Sequence, residues 1–394
     1  MNKTFLILGG YGNAGRLIAE LLLQETPVQL VLVGRNLKQA QRQAQLLNQK
    51  FNTHRVTGVY LDAADLASLK AACAQVDLVV VASSTRNYVE NIAQAALITG
   101  IDYLDLQWSS THEIQILETL RKDIEQAGLC FITEGGFHPG LLSTLIRYVT
   151  PEFDRLETAH LASLIQINWR TLSFSPATAI EFIQEMTEAK PMIFKNGDWI
   201  QLDWNSYQPF HFGDTFGQRH CVPLFMEELR ELPQTIPSLK ELGFFIAGFN
   251  WVTDYLILPL GLALLKFSPS VTPLVSSLFQ WGLNTFSKPP YGVILMLIAQ
   301  GQKDNKPMTM QLQLLHWDAY LLTAAPVVAC LLQYLDGTLP KSGLWYQGNV
   351  VEPKRMLSDI EGLGVRFEIK KMTDFSSPET YQQSCLENSV VRKE

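Results

Sequence analysis

Short apolar runs alternate with longer stretches of helical period through the amino-terminal third of the chain. The runs are FLILG (5–9), VQLVLVG (28–34), VTGVYLD (56–62), VDLVVVA (76–82), IDYLDL (101–106) and LCFIT (129–133). They are rich in Val, Ile and Leu and mostly lack polar alternation, the pattern of strands covered on both faces in a parallel sheet. The stretches between them, GRLIAELLLQE, LKQAQRQAQLLNQKF, DLASLKAACAQ, NYVENIAQAALITG and EIQILETLRKDIEQAG, carry the helical period. This alternation predicts an α/β fold with a doubly wound parallel sheet over residues 1–150.

Regular alternation stops beyond Thr150. TAHLASLIQIN and PMIFKNGDWIQL read as short strands, and SPATAIEFIQEMTEA reads as a helix whose start is marked by Ser175 before Pro176. HWDAYLLTAAPVVACLLQYLDG predicts a further helix that stops at Gly337, with Pro340 beyond it. Residues 242–286 stand apart as an aromatic and aliphatic lobe. Asp254, Pro259, Pro269 and Pro273 interrupt it, which disfavours an uninterrupted membrane span. Two readings of the lobe stand: a partly exposed apolar surface that touches a bilayer or covers a greasy substrate, or the core of a dimer contact. From Thr373 the chain is polar and aperiodic, so a disordered tail is expected over 373–394.

Composition narrows the functional classes. With 394 residues, 47% hydrophobic and 18% charged, the chain can bury two domain cores. The 31 basic residues are outnumbered by 38 acidic ones, and no basic stripe of the kind nucleic acid requires is present. Cys73, Cys130, Cys221, Cys330 and Cys385 form no CxxC pair, which argues against a disulfide framework and against a metal site. Reduced thiols and a cytoplasmic location are expected. The opening MNKTFLILGG is too short in its apolar part for a signal peptide.

The first strand runs directly into LGGYGNAGRL. Gly10, Gly12 and Gly15 form G-x-G-x-x-G between a strand and a helix, the setting in which the motif binds a dinucleotide. Gly10 is expected to make the tight turn, Gly12 to admit a pyrophosphate and Gly15 to let the helix approach the strand. The amides of Asn13, Ala14 and Gly15 then face the phosphates at a helix amino terminus. The second strand ends in VLVGRN, with no carboxylate for a ribose 2′-hydroxyl. Arg35, beside Asn36, instead suits the 2′-phosphate of NADP. Asp62 and Ala63 after the third strand are placed at the adenine edge, with helix capping as the other reading of Asp62. Ser83 and Ser84 after the fourth strand are placed beside the pyrophosphate and nicotinamide ribose, or else cap the next helix.

Four stretches, LGGYGNAGRLIAELL, VLVGRN, TGIDYLDLQ (99–107) and EGGFHPGLLSTLIRYV (134–149), resemble the saccharopine dehydrogenase-like oxidoreductases, and EPKRMLSDIEGLGVRFEI is similar to that family's closing helix and strand. The resemblance covers the first 150 residues well and the rest loosely. It implies a Rossmann-type nucleotide domain, an inserted α+β substrate and dimerisation domain over 151–337, and a return to the first domain over 338–372. A hydride transfer needs a proton donor or acceptor at the carboxyl edge of the sheet. Asp105, with Tyr103 and Gln107, Glu134, and His138 in GGFHPG are the candidates. His138 stands where the amino-acid-processing relatives commonly carry Asp or another polar residue, and its side chain has an ordinary pKa suited to proton transfer near neutrality. A dicarboxylated substrate calls for convergent arginines, yet residues 151–301 offer only Arg155, Arg170, Arg219 and Arg230, of which Arg170 and Arg219 are the pair that could clamp it. The expected protein is therefore an NADP-dependent, homodimeric oxidoreductase acting on an apolar, lipid-like substrate, with contact to a membrane periphery through 242–286. An imine-forming or imine-reducing dehydrogenase of amino acids or polyamines, and a non-catalytic NADP-binding redox sensor, are the rival readings.

Overall fold

The structure is a computed structural model that describes residues 3–108, 110–171 and 176–372. It divides into two compact units, Met1–Thr144 with Tyr320–Gly364, and Leu145–Ala319 with Val365–Glu394. In chain order the first unit builds β1 (Thr4–Leu8), α1 (Asn13–Glu25), β2 (Gln29–Gly34), α2 (Leu37–Lys50), β3 (Val56–Tyr60), α3 (Leu66–Cys73), β4 (Leu78–Val81), α4 (Val89–Thr99), β5 (Asp102–Asp105), α5 (Thr111–Ala127) and β6 (Cys130–Thr133). Helix α6 (Leu142–Val149) spans the boundary. The second unit contributes β7 (Arg155–Gln166), α7 (Pro176–Glu188), β8 (Met192–Lys195), β9 (Asp198–Gln201), β10 (Gln208–His211), α8 (Gly213–Phe216), β11 (Gln218–Pro223), α9 (Leu232–Thr235), β12 (Glu241–Ala247), α10 (Leu258–Phe267), α11 (Thr272–Phe286), β13 (Gly292–Lys303) and β14 (Lys306–His316). The chain then returns through α12 (Ala319–Leu335), β15 (Gly343–Tyr346), α13 (Gln347–Val350) and α14 (Pro353–Gly362) before β16 (Arg366–Met372).

All six strands expected from the amino-terminal runs form, and with β15 from the return segment they make a seven-stranded parallel sheet in the order β15-β6-β5-β4-β1-β2-β3. The order reverses between β1 and β4, and a doubly wound sheet opens its ligand crevice at such a reversal. Strand β3 departs from the expected full burial: it lies at the edge, and Val59 and Tyr60 are exposed. Between the inner strands and the helices, Leu6, Leu8, Val79, Val81, Tyr103 and Phe131 pack with Ile92, Ala96, Leu117 and Ile124 into one core. Ser110 caps α5 by accepting from Glu113 N at 3.2 Å, the Ser-x-x-Glu start of a capping box.

The return segment is tied into the first unit. Strand β15 adds to β6, Tyr334 Oη hydrogen-bonds to Asp102 Oδ2, and Lys3 Nζ donates to Tyr334 Oη at 2.7 Å. Beyond Gly364 the chain leaves that unit, and β16 pairs antiparallel with β14 in the second sheet.

That second sheet runs β10-β11-β12-β7-β13-β14-β16, with the hairpin β8–β9 attached to β12. Among the described residues, only the β12–β7 pairing of this sheet is parallel. The β8–β9 turn uses Asn196 and Gly197, both at positive φ, as a two-residue hairpin loop requires. The helix expected after Thr150 is α7, though its start signal at Ser175 lies outside the described residues, as does the tail expected over 373–394.

The apolar lobe resolves into two parts. Its first residues form β12, buried in the sheet. The remainder is a helical pair, α10, preceded by a π-helical turn over Thr253–Ile257, and α11. Val275, Phe279 and Leu283 turn inward with Ile183, Phe182 and Phe249, and the Phe182 and Phe279 rings stack at 5.0 Å. Trp251, Tyr255, Leu256, Leu260, Leu264, Phe267, Leu274, Leu278 and Trp281 turn outward instead; Phe267 is 89% exposed. No described helix is long and apolar enough to cross a membrane.

Candidate nucleotide and reaction site

The glycine loop leaves β1 at the sheet's carboxyl edge. Its left-handed residue is Gly9, at φ 84°, so the tight turn expected of Gly10 falls one position earlier, and Gly10 packs under Leu32 instead. A side chain at Gly15 would collide with the Gly9 carbonyl, which is why α1 can approach β1 so closely. Gly12 differs: a Cβ there would meet only Gly9 O, at 3.1 Å, and would otherwise project into open space. Gly12 also caps α1 without a side chain, and the first turn holds no carboxylate. The amides of Asn13, Ala14 and Gly15 precede the first intrahelical bond, which Arg16 N makes to Gly12 O at 3.0 Å. Such a terminus suits a diphosphate.

The neighbouring strand ends converge on this loop. Ser83, just after β4, places its Cβ 2.7 Å from where a Gly9 Cβ would sit; its Oγ is buried without a hydrogen-bond partner among the described residues. Neither Ser83 nor Ser84 caps α4, whose cap position is Tyr88. Arg35 is exposed at the end of β2. Asn36 caps α2, its Oδ1 accepting from Gln39 N at 3.1 Å. After β3, Asp62 Oδ1 accepts from Ala64 N at 3.0 Å, while the cap of α3 is Asp65; the capping reading of Asp62 is thereby corrected. Ala63 is buried, and its carbonyl accepts from Asn91 Nδ2 at 3.3 Å.

Asp105, Glu134 and His138 gather on the β5–β6 side of the same edge. Asp105 is completely buried, and its Oδ1 accepts from Gln107 N at 3.1 Å, Thr133 Oγ1 at 3.0 Å and Glu134 N at 3.2 Å. Burial raises its pKa against those donors, and burial together with the Asp105 charge pushes the Tyr103 phenol well up. Asp105 is thus a fastening between two strand ends. Glu134 is buried with a left-handed backbone, φ 58°, a conformation that costs energy outside glycine and clusters at functional turns. His138 sits against Phe137 at 3.9 Å between ring centroids, and burial lowers its pKa to about 4. Its imidazole is therefore neutral at pH 7, not poised to titrate there.

Two residues that matter here carried no local signal. Gln347, more than two hundred residues downstream, is fully buried and donates from Nε2 to both Gly136 O and Gly140 O at 3.1 Å, closing the turn that holds His138. Tyr11, an unassigned position inside the glycine motif, lays its ring over Gly34 and accepts from Asn36 N at 3.2 Å. Arg170, a candidate substrate clamp, spends its guanidinium on the carbonyls of Asn284 and Thr285 at 2.6 and 2.8 Å, and Arg219 donates to Gln166 Oε1 at 3.1 Å.

Residues 5–132 match the family model described as the saccharopine dehydrogenase NADP binding domain. The amino-terminal domain is a saccharopine dehydrogenase NADP-binding domain. That domain is accordingly one that binds NADP. Its fold is also similar to that of apo saccharopine dehydrogenase (L-Glu forming) from Saccharomyces cerevisiae, with a TM-score of 0.67 over 94% of this chain and 100% of that one, at 15% identity. Lesser likenesses are to a meso-dapdh mutant with DAP from Clostridium tetani (TM-score 0.43, 13% identity, 97% of this chain and 99% of that one) and to a short-chain dehydrogenase/reductase from Veillonella parvula in complex with NADP (TM-score 0.27, 18% identity, 34% and 68%). The saccharopine dehydrogenase likeness extends the shared fold into the second unit.

Proposed function

We propose that this saccharopine dehydrogenase-type oxidoreductase moves a hydride between NADP(H) and an apolar, lipid-like substrate drawn from a membrane surface. The observation that carries this reading is the outward face of the helical pair in the second unit. From 251 to 288 the charged residues are Asp254, largely buried, and the exposed Lys266 and Lys288, so this surface offers aromatic and aliphatic side chains flanked by cations and presents no exposed carboxylate. Trp, Tyr, Leu and Phe with lysine at the margin suit the interface of an anionic bilayer. A second copy of this chain is the other occupant such a face could take, which would make the protein the homodimer expected from its sequence.

NADPH, when bound, would supply the hydride, and NADP+ would accept it in the reverse direction. Gly12, the α1 amides, Ser83 and Arg35 hold the nucleotide in this reading. Asp105 and Gln347 fix the turn on which His138 stands, and Glu134 and His138 offer the groups through which a proton reaches the substrate. A neutral, buried imidazole at that point donates a hydrogen bond to a developing anion more readily than it releases a proton as imidazolium.

The whole-chain likeness to saccharopine dehydrogenase favours a second reading, an amino-acid or polyamine imine dehydrogenase. The engagement of Arg170 with α11 counts against a dicarboxylated substrate. NADPH oxidation measured with apolar enoyl, carbonyl and imine compounds in anionic vesicles, beside amino-acid and amine substrates in buffer, separates the readings. Turnover confined to vesicle-borne compounds supports the proposal; turnover confined to the amine set replaces it; NADPH binding without turnover in either set points to a redox sensor.

A further inference from the structure

We infer that Tyr11 is a specificity residue of the nucleotide site, its hydroxyl a donor to the 2′-phosphate of NADP. The inference rests on the NADP reading of the first unit and adds to it a ligand from inside the glycine motif.

The geometry begins with Gly34, the last residue of β2. An ideal Cβ there would lie 2.6 Å from both Cε1 and Oη of Tyr11, so the ring occupies the space that any other residue type at 34 would fill. The packing fixes where the phenol points: its oxygen accepts from Asn36 N at 3.2 Å, at the cap of α2. That single accepted bond orients the oxygen and leaves the phenolic proton without an acceptor among the described residues. Arg35 lies between the two anchoring positions, 34 and 36, and is exposed.

The surroundings are those an additional phosphate needs. Helix α2 has no acidic residue in its first turn, and its exposed Lys38 adds a cation beside Arg35. A ribose bearing only a 2′-hydroxyl would instead call for a carboxylate, and none occupies 34–36. A phenol donating to a phosphate dianion makes a charge-assisted hydrogen bond, which a neutral 2′-hydroxyl cannot match in strength. Tyr11 therefore selects by what it donates to, while Gly34 selects by keeping the ring in place.

The test is calorimetric titration of the full chain with NADPH, NADH and 2′,5′-ADP, in the wild type, Tyr11→Phe and Gly34→Ala, with thermal unfolding as the folding control. Phe keeps the ring and removes the donor. The expected result is about tenfold weaker binding of NADPH and 2′,5′-ADP by Tyr11→Phe, with NADH changed by less than about twofold, because the lost bond is one to a charged group. Gly34→Ala, which displaces the ring, is expected to lose affinity for the same two ligands. Unchanged NADPH affinity in folded Tyr11→Phe overturns the inference, as does an equal loss for NADPH and NADH, which would mark the ring as mere packing. A wild type that binds none of the three ligands defeats the NADP reading itself, a separate failure.

Discussion

Gly12 and Gly15 differ in what an added methyl group meets, and that difference separates binding from folding. A Cβ at Gly12 meets only Gly9 O, at 3.1 Å, which must yield by a few tenths of an ångström, and it has no room once a diphosphate approaches, so Gly12→Ala should lose less stability than Gly15→Ala while NADPH affinity drops at least about tenfold. Gly15→Ala drives a methyl into the Gly9 carbonyl and should cost about 1–3 kcal/mol of stability in chemical denaturation. Histidine chemistry yields a second residue-scale expectation. Burial lowers His138 and His160 from 6.5 to about 4, so between those values the unfolded chain binds protons that the folded chain refuses. Their contribution to stability is whole above pH 6.5 and is lost as pH falls toward 4. Asp254, raised by burial to about 6, acts the other way: its contribution is whole below 3.8 and is lost as pH rises through 6. Asp105, raised by burial as well, opposes the histidines in the same sense as Asp254, so the histidine share is read by difference: the change in unfolding midpoint between pH 6.5 and 4 should be more favourable to the folded state in His160→Gln than in the wild type. For turnover, the same lowered His138 places any acid limb it causes in kcat/KM well below pH 6.5.

At the scale of elements, the helical pair of the second unit is where composition and structure part. The apolar excess of 242–286 is plain in the sequence, but buried and outward residues there share one vocabulary: Phe279 and Leu283 are core, while Phe267 and Leu278 are surface. Which face turns inward is decided by the ring cluster around Phe182 and Phe249, residues that come from other elements. Replacing Leu260 and Phe267 together by Glu should abolish co-sedimentation with anionic vesicles while leaving NADPH affinity intact, since both side chains already stand in solvent and neither belongs to the nucleotide unit. If the variant instead breaks a dimer seen by sedimentation, a second copy is the occupant of this face. The parallel strands were legible for the opposite reason. Between helices on both faces, β1, β2, β4 and β6 are little but apolar runs; β5 carries Asp102 and Asp105 at its two ends around an apolar centre, and edge strand β3 is partly exposed.

For the molecule as a whole, the reaction edge is assembled by chain that comes back late. Strand β15 and Gln347 join the first unit from beyond residue 340, and no spacing within residues 134–140 announces that a distant amide will hold two of their carbonyls. Asp105 was legible as a polar residue at a strand end, but its fastening to Thr133 and Glu134 depends on β5 lying beside β6. The glycine motif, by contrast, was legible almost entire because its logic is local, and only the turn residue moved, from Gly10 to Gly9. Gln347→Ala leaves two buried carbonyls without their donor and should lower stability by about 1–3 kcal/mol. Turnover should fall further than that loss explains, because the His138 turn is no longer closed. All of this presumes a nucleotide at the crevice between β1 and β4 with its extra phosphate at the end of β2. Calorimetric titration of wild type and Arg35→Ala with NADPH and NADH tests that most directly. Saturable NADPH binding at least about tenfold tighter than NADH in the wild type, with the preference collapsing in Arg35→Ala, is the predicted result; equal or stronger binding of NADH, or no saturable binding of either, would contradict it.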